Sequence, residues 1–341
     1  VTEMFGRYRG VEALGSGAFS TVWLAYDDTL ATHVAIKVLA DNWARDPEFR
    51  ERFIREAQIL WRSQSDHIIH VHTVEELEDG RPYFVMDHAD RGSLADRMTA
   101  RAGADQGWAT TEVVAISNDI GAGLRDAHSS GIAHRDLKPS NVMFRSHPGG
   151  ADGERLVLVD FGIAKELGSA AGRTIATGTP HYMAPEQAEG RADQRSDIYS
   201  AGVIAYELLA GRVPYPYDSV SRILAAQASE PIPPISSLRS DVPAGLEQAI
   251  STALAVDPDE RHQSVNDWMV ALNAAGTTVT PPAPEAEPSS LPPPPMPPPD
   301  PAAAVDPEQA AKTEQDPPPD PGATMGPEQF AATGEAPPEQ G

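Results

Sequence analysis

The most constraining stretch of the chain is His134-Arg135-Asp136-Leu137-Lys138-Pro139-Ser140-Asn141, with Asp160-Phe161-Gly162 following it. The string puts one acid on a loop tip, a lysine two residues on and an amide carbonyl three beyond that, and a second acid follows after a hairpin-length gap. Its flanks dictate where it sits. Upstream, Thr111 to Ser130 carries Val113, Ile116, Ile120, Leu124 and Ala127 on one helical face, with Gly131 as terminator. Downstream, Arg145 to Arg155, with His147-Pro148-Gly149-Gly150, reads as a lengthened hairpin tip. Leu156 to Val159 then reads as a strand ending at Asp160.

Composition limits how much of the chain can share one core. After Gly276 lie 20 of the 33 prolines, with alanine, eleven acids, one base and almost no large apolar side chains. No core can form from such a segment. Residues 277–341 therefore read as a disordered acidic Pro-rich tail or linker, in which Leu291 to Pro299 favours polyproline II. The tail carries about −10 of the formal net charge of −24. That acidity argues against a nucleic-acid-binding surface. The absence of cysteine excludes disulfides and thiolate metal sites and fits a reducing compartment. No run of about 18 apolar residues spans a membrane, and no signal-peptide core opens the chain. The expectation is a cytoplasmic protein, membrane-associated only if the chain continues beyond the tail.

Tyr8 to Leu39 reads as three short strands, with Val11, Leu14, Val22, Leu24, Val34, Ile36 and Val38 in approximate period-2 patterning. The first turn is Gly15-Ser16-Gly17-Ala18-Phe19-Ser20-Thr21-Val22. Glycines there let a backbone approach polyanionic phosphates and turn N–H groups toward them. Lys37 lies in the apolar third strand. Pro47 to Gln64 reads as a helix with Phe49, Phe53, Ala57 and Leu60 inward and Glu56 on the margin of that stripe. An inward acid needs a partner, and Lys37 is the available cation. His67, His70 and His72 alternate with apolar residues, but without cysteine or an acid cluster they read as a link into a fourth strand rather than a zinc site. Pro82 to Met86 reads as a buried strand.

The chain has four lysines, Lys37, Lys138, Lys165 and Lys312, in an otherwise arginine-rich composition. Phosphoryl transfer needs a carboxylate to orient and deprotonate a hydroxyl, a cation near the moving group, and oxygen ligands for Mg²⁺. The eight-residue string, Asp160-Phe161-Gly162 at its distance, Val34-Ala35-Ile36-Lys37, and the closing Gly178-Thr179-Pro180 to Ala184-Pro185-Glu186 segment together resemble the bacterial eukaryotic-like Ser/Thr protein kinases of the protein kinase superfamily. Ser20 stands where the family's Gly-rich loop has its third glycine.

The resemblance covers residues 8–274 and implies an α+β, two-lobed fold. A small, mainly antiparallel β N-lobe with one key helix (about 8–87) joins a larger, mainly α-helical C-lobe (93–274) through a hinge at 87–92. It implies ATP and Mg²⁺ as cofactors and Ser/Thr hydroxyls of proteins as substrates. Asp136, Lys138, Lys37 and Glu56 take catalytic positions, and Asn141 and Asp160 hold the metal. Leu14, Gly15, Gly17, Val22, Ala35, Lys37, Met86, Asp87 and Ala89 line the nucleotide site, with Met86 as gatekeeper. Asp197 corresponds to an acid that accepts hydrogen bonds from the catalytic-loop backbone, and Ser196 reads as the N-cap of its helix. Arg261 corresponds to an arginine that pairs with Glu186. Arg135, with Arg173, is expected to grip a phosphate on the activation segment, where Thr174 and Thr177 are the candidate hydroxyls, and self-association for trans-autophosphorylation follows. Thr179 takes a structural role there. The alternatives are a pseudokinase scaffold and a small-molecule phosphotransferase. The first usually lacks an equivalent of Lys37, Asp136 or Asp160, and the second lacks the full peptide-binding segment.

Overall fold

In the computed structural model, residues 3–103, 107–162 and 180–276 are described. They form a six-stranded antiparallel sheet followed by a mainly helical region. The strands are β1 (Met4–Phe5), β2 (Tyr8–Ser16), β3 (Ser20–Asp27), β4 (Thr32–Leu39), β5 (Val71–Glu76) and β6 (Pro82–Asp87), in the order β1-β2-β3-β4-β6-β5. The three strands expected between Tyr8 and Leu39 are present, as is the strand expected from Pro82.

Two-residue alternation divides the central strands between two cores. Val34, Ile36 and Val38 of β4 join Tyr83 and Val85 of β6 in a cluster closed by Phe5 and Tyr8. Ala35 and Leu39, with Phe84 and Met86, face the other way into the main core. Both faces are thus covered, so β4 is buried along most of its length. The register pairs Lys37 with Phe84 and Ala35 with Met86, which puts the lysine on the face that meets the next helix.

A short helix α1 (Asp41–Ala44) leads to α2 (Pro47–Arg62). The start of α2 follows from its sequence. Asp46 caps it by accepting from the Glu48 amide, and Pro47 occupies the first turn, where a missing N–H costs nothing. Phe53, Ala57 and Leu60 bury one stripe against the sheet, worth about 1.5–3 kcal/mol for each large side chain. Glu56 rides on that stripe and is buried with it.

The second region contains α3 (Leu94–Arg101), α4 (Thr110–Ser129), the hairpin β7 (Val142–Ser146) and β8 (Glu154–Leu158), α5 (Gln194–Ala210), α6 (Val220–Ser229), α7 (Ala244–Ala253) and α8 (Val265–Gly276). Helix α4 packs against α5, α8 and β8. Helix α5 is buried on nearly every side, so it reads as apolar throughout rather than striped. Its N-cap is Asp193, not Ser196 as expected: the Asp193 carboxylate accepts from the Arg195 amide at 2.7 Å. The Ser196 hydroxyl is drawn into the helix instead, donating to Glu186 Oε1 at 2.6 Å. Among the described residues no helix is long and apolar enough to cross a membrane.

Candidate active site

The loop 134–141 runs from α4 to β7 and is fastened from below. Asp197, in the first turn of α5, accepts from the His134 and Arg135 amides, each at 2.7 Å, and its Oδ2 lies 2.8 Å from His128 Nε2. Its carboxylate is wholly buried, and these bonds are what make that burial tolerable. The turn they impose puts Arg135 at φ 63°, a left-handed conformation that a long side chain adopts only when its surroundings hold it. The expected role of Asp197 as acceptor for this loop agrees with the geometry.

The same turn presents Asp136. Lys138 Nζ lies 3.2 Å from Asp136 Oδ2, and Asn141 Nδ2 donates to the Asp136 carbonyl at 2.8 Å and to Oδ2 at 3.2 Å. Asp160 follows β8 at φ 56°, again left-handed. Phe161 behind it is buried, its ring 4.4 Å from that of His134. Gly162 donates its amide to the His134 carbonyl at 2.8 Å. A Cβ there would come within 3.0 Å of Asp136 Cβ and 3.3 Å of the His134 carbonyl, so a larger residue would crowd the two acid-bearing loops apart by a few tenths of an ångström.

Lys37 reaches across from the sheet. Its Nζ is 2.7 Å from Glu56 Oε1 and 2.9 Å from Asp160 Oδ1, so one ammonium bridges β4, α2 and the end of the hairpin. Burial disfavours that ammonium, but Asp160 and Glu56 outweigh it and raise the Lys37 pKa. Burial pushes the Glu56 carboxyl up, and the pull of Lys37 offsets this only in part. Asp160 goes the other way: against burial, Lys37 holds its carboxyl below the usual range. The Asp160 side chain is 41% exposed, so this ionised carboxylate opens on the cleft.

The expected nucleotide-site residues lie on β2, β3, β4 and β6, on the turn after β2 and on the segment after β6, with different degrees of cover. Ala35 and Met86 are buried and directly paired across β4 and β6, whereas Val22 and Ala89 are half-buried against the main core. Leu14 is 47% exposed. The Asp87 amide donates to the His70 carbonyl at 3.0 Å, so that N–H is already engaged. The Asp87 side chain bridges His72 Nε2 at 2.9 Å and Arg145 Nη1 at 2.6 Å, a tie that residue patterns did not reveal. Gly15 pairs with Val22, and a Cβ on it would meet nothing within 4 Å. The amide of Gly17 donates to Ser20 O at 2.8 Å. That N–H is therefore spent on closing the turn and does not point outward as expected.

The histidine-rich link is used piecemeal. His67 Nδ1 lies 3.1 Å from the Leu156 carbonyl, His72 meets Asp87, and the His70 and His72 rings are 5.3 Å apart. Among the described residues no group of three or more His, Asp or Glu could hold a metal.

Further back, Arg261 and Glu186 form the expected pair through two bonds of 2.7 and 2.8 Å. The rest of the guanidinium fork goes to the Ala255, Val256 and Arg195 carbonyls. Burial works to raise the Glu186 pKa, but the bonds from Arg261 and Ser196 bring it below the usual carboxylate range. Burial lowers the Arg135 pKa, and Arg52 and Arg55 of α2 are close enough to push it the same way. Residues 163–179, with Lys165, Ser169, Arg173, Thr174, Thr177 and Thr179, lie outside the described residues.

Comparison with known proteins agrees with this geometry. Residues 8–269 match the protein kinase domain family. The chain is 36% identical over 274 residues to the serine/threonine-protein kinase Pkn1 of Myxococcus xanthus, covering 79% of this chain and 38% of that protein. It is also 36% identical over 288 residues to the serine/threonine-protein kinase PknB of Mycolicibacterium smegmatis, covering 82% of this chain and 44% of that one. The chain thus spans less than half the length of these relatives. The crystal structure of the Mycobacterium tuberculosis PknI kinase domain superposes with a TM-score of 0.61 at 31% identity, over 80% of this chain and 98% of that one. With its antiparallel sheet lobe, its helical lobe and a lysine bridging them at the acid-bearing loops, the chain belongs to the protein kinase family, among its bacterial eukaryotic-like Ser/Thr members.

Proposed function

We propose that the chain is a Ser/Thr protein kinase that transfers the γ-phosphoryl group of ATP to protein hydroxyls, with residues 8–274 as the catalytic domain. The observation that carries this reading is the single ammonium of Lys37 bridging Glu56 and Asp160, beside Asp136, Lys138 and Asn141 on one loop. In it, Asp136 accepts the proton of the substrate hydroxyl and orients its oxygen for attack. Lys138, beside Asp136, neutralises charge on the group in transfer. Lys37, fixed by Glu56, holds the ATP phosphates. The nucleotide base would lie among Ala35, Val22 and Met86, with the Asp87 carbonyl and the Ala89 backbone as its polar contacts.

Asp160 and Asn141 suit Mg²⁺. The first offers an ionised, cleft-facing carboxylate, and the second turns its amide nitrogen to Asp136, which makes its oxygen the natural ligand. Bound there, Mg²⁺ would supply positive charge to the phosphate oxygens. The pseudokinase alternative is disfavoured because Lys37, Asp136 and Asp160 are all present and close to one another in one cleft.

The same reading includes activation by autophosphorylation at Thr174 or Thr177, with copies of the chain acting on each other. Its support is the place of Arg135 directly before Asp136, with Arg52 and Arg55 of α2 near enough to act on its pKa, although Asp197 acts against them. A phosphate of about −1.5 to −2 charges offers oxygens that a guanidinium binds bidentately. Incubation of the full chain with Mg-ATP, followed by phosphosite mass spectrometry, tests activity and activation together. Phosphate on Thr174 or Thr177, absent from the Asp136→Asn chain, is the expected result. No phosphate on the chain or on added protein would overturn the reading.

A further inference from the structure

The glycine-rich turn between β2 and β3 is fastened to the helices that follow β4. Trp43 of α1 donates its indole N–H to the Ala18 carbonyl, at the tip of the turn, at 2.8 Å. Next along the turn, Phe19 packs its ring against two others. It lies 5.3 Å from the Trp43 ring and stacks on Phe49 of α2 at 5.6 Å and 19°. Trp43 and Phe49 are themselves 4.2 Å apart, which closes a three-ring cluster. The backbone adds a bond from the Ala40 amide to the Phe19 carbonyl at 2.9 Å.

Phe49 and Glu56 lie two turns apart on the same buried face of α2. One helix therefore carries the anchor of the turn at its first turn and the partner of Lys37 further along. The Gly17 amide closes the turn on itself, so the contacts at Ala18 and Phe19 fix the place of the turn as a unit.

We propose that Trp43 is a positioning residue: its indole N–H and ring tie the glycine-rich turn to α2, so that the turn and the Lys37–Glu56 bridge are held as one unit over the phosphates of ATP. This rests on the kinase reading and adds a device to it. A turn released from Trp43 loses its place over the phosphates while the base pocket of Ala35 and Met86 stays intact.

Calorimetric titration of the full chain with Mg-ATP and, separately, with adenosine tests this. Trp43→Phe keeps a ring against Phe19 and Phe49 but removes the donor, so the fold is expected to survive, with an unchanged melting temperature as the control. It should weaken Mg-ATP about two- to fivefold, in keeping with one exposed hydrogen bond, and leave adenosine unaffected. Trp43→Ala should weaken Mg-ATP further. Wild-type Mg-ATP affinity in Trp43→Phe, or equal losses for Mg-ATP and adenosine, would overturn the proposal and leave the kinase reading standing. A parent chain that binds no Mg-ATP overturns both.

Discussion

The two halves of the cleft hold their charges in opposite ways. On the helical side, Asp197 and Glu186 are buried carboxylates whose partners are backbone amides, the His128 imidazole, a neighbouring hydroxyl and one guanidinium fork. Nothing in that set faces solvent, and its bonds begin and end within the helical lobe. On the sheet side, a single ammonium serves two carboxylates, one buried on α2 and one open to the cleft. Charges that build the loop are satisfied internally, whereas those expected to meet a ligand share too few partners among themselves. The difference separates groups that hold structure from groups that wait for substrate.

Removing one charge from each half should break this comparison if it is wrong. Arg261→Met leaves Glu186 buried without its cation and should cost about 3–5 kcal/mol in denaturant unfolding. Acid provides the sign. The folded pKa of Glu186 is depressed, so its contribution is present above the ordinary glutamate value of about 4.3 and is lost as pH falls through the folded pKa. The gap between parent and variant should therefore hold at neutral pH and shrink below about pH 4.

Lys37→Met is the matching change on the sheet side. Glu56 already has a raised pKa and can take a proton once the lysine is gone, so near pH 5 the stability loss should stay below that of Arg261→Met. A raised carboxylate pKa contributes stability that is present below the unfolded value and lost as pH rises through the folded one. The gap to the parent should thus be smallest near pH 5 and widen toward pH 8 in thermal melts. A loss as large as that of Arg261→Met would erase the distinction between the two halves.

Much of this site was legible because its residue types leave few options. A lysine in an apolar strand and an acid on an apolar helix stripe point to one another, and Lys37 and Glu56 do meet. Asp136, Lys138, Asn141 and Asp160 were readable as a set because their spacing puts them on adjacent loops. The Arg261–Glu186 pair was accessible only through resemblance, since 75 residues separate the partners and neither lies on a periodic stripe. Ser196 misled for a physical reason: a serine before an apolar helix suits an N-cap, but Asp193 three residues earlier starts the helix one turn sooner, and Ser196 becomes its capping-box partner, accepting from the Asp193 amide at 3.2 Å. Phe49 was legible as an inward helix residue, but its cluster with Trp43 and Phe19 was not, because a stack of rings from a turn and two helices follows no single period. The bridge from Asp87 to His72 and Arg145 was hidden likewise, since it joins three strands.

The smallest effect belongs to the tail. Removing residues 277–341 should shift the melting temperature by no more than about 2 °C and leave Mg-ATP affinity unchanged, because a proline-rich acidic segment buries little apolar surface. A large drop in calorimetric melting temperature would mean that the stability ascribed to the two lobes depends on a third partner.

The account stands most directly on Asp136. Asp136→Asn removes the proposed base but keeps an isosteric side chain beside Lys138 and Asn141, so Mg-ATP binding should stay at the parental level. Phosphoryl transfer, followed as radiolabel incorporated from γ-labelled ATP at saturating Mg-ATP, should fall by about 10²-fold or more. Incorporation at the parental rate by a folded Asp136→Asn chain would contradict the account.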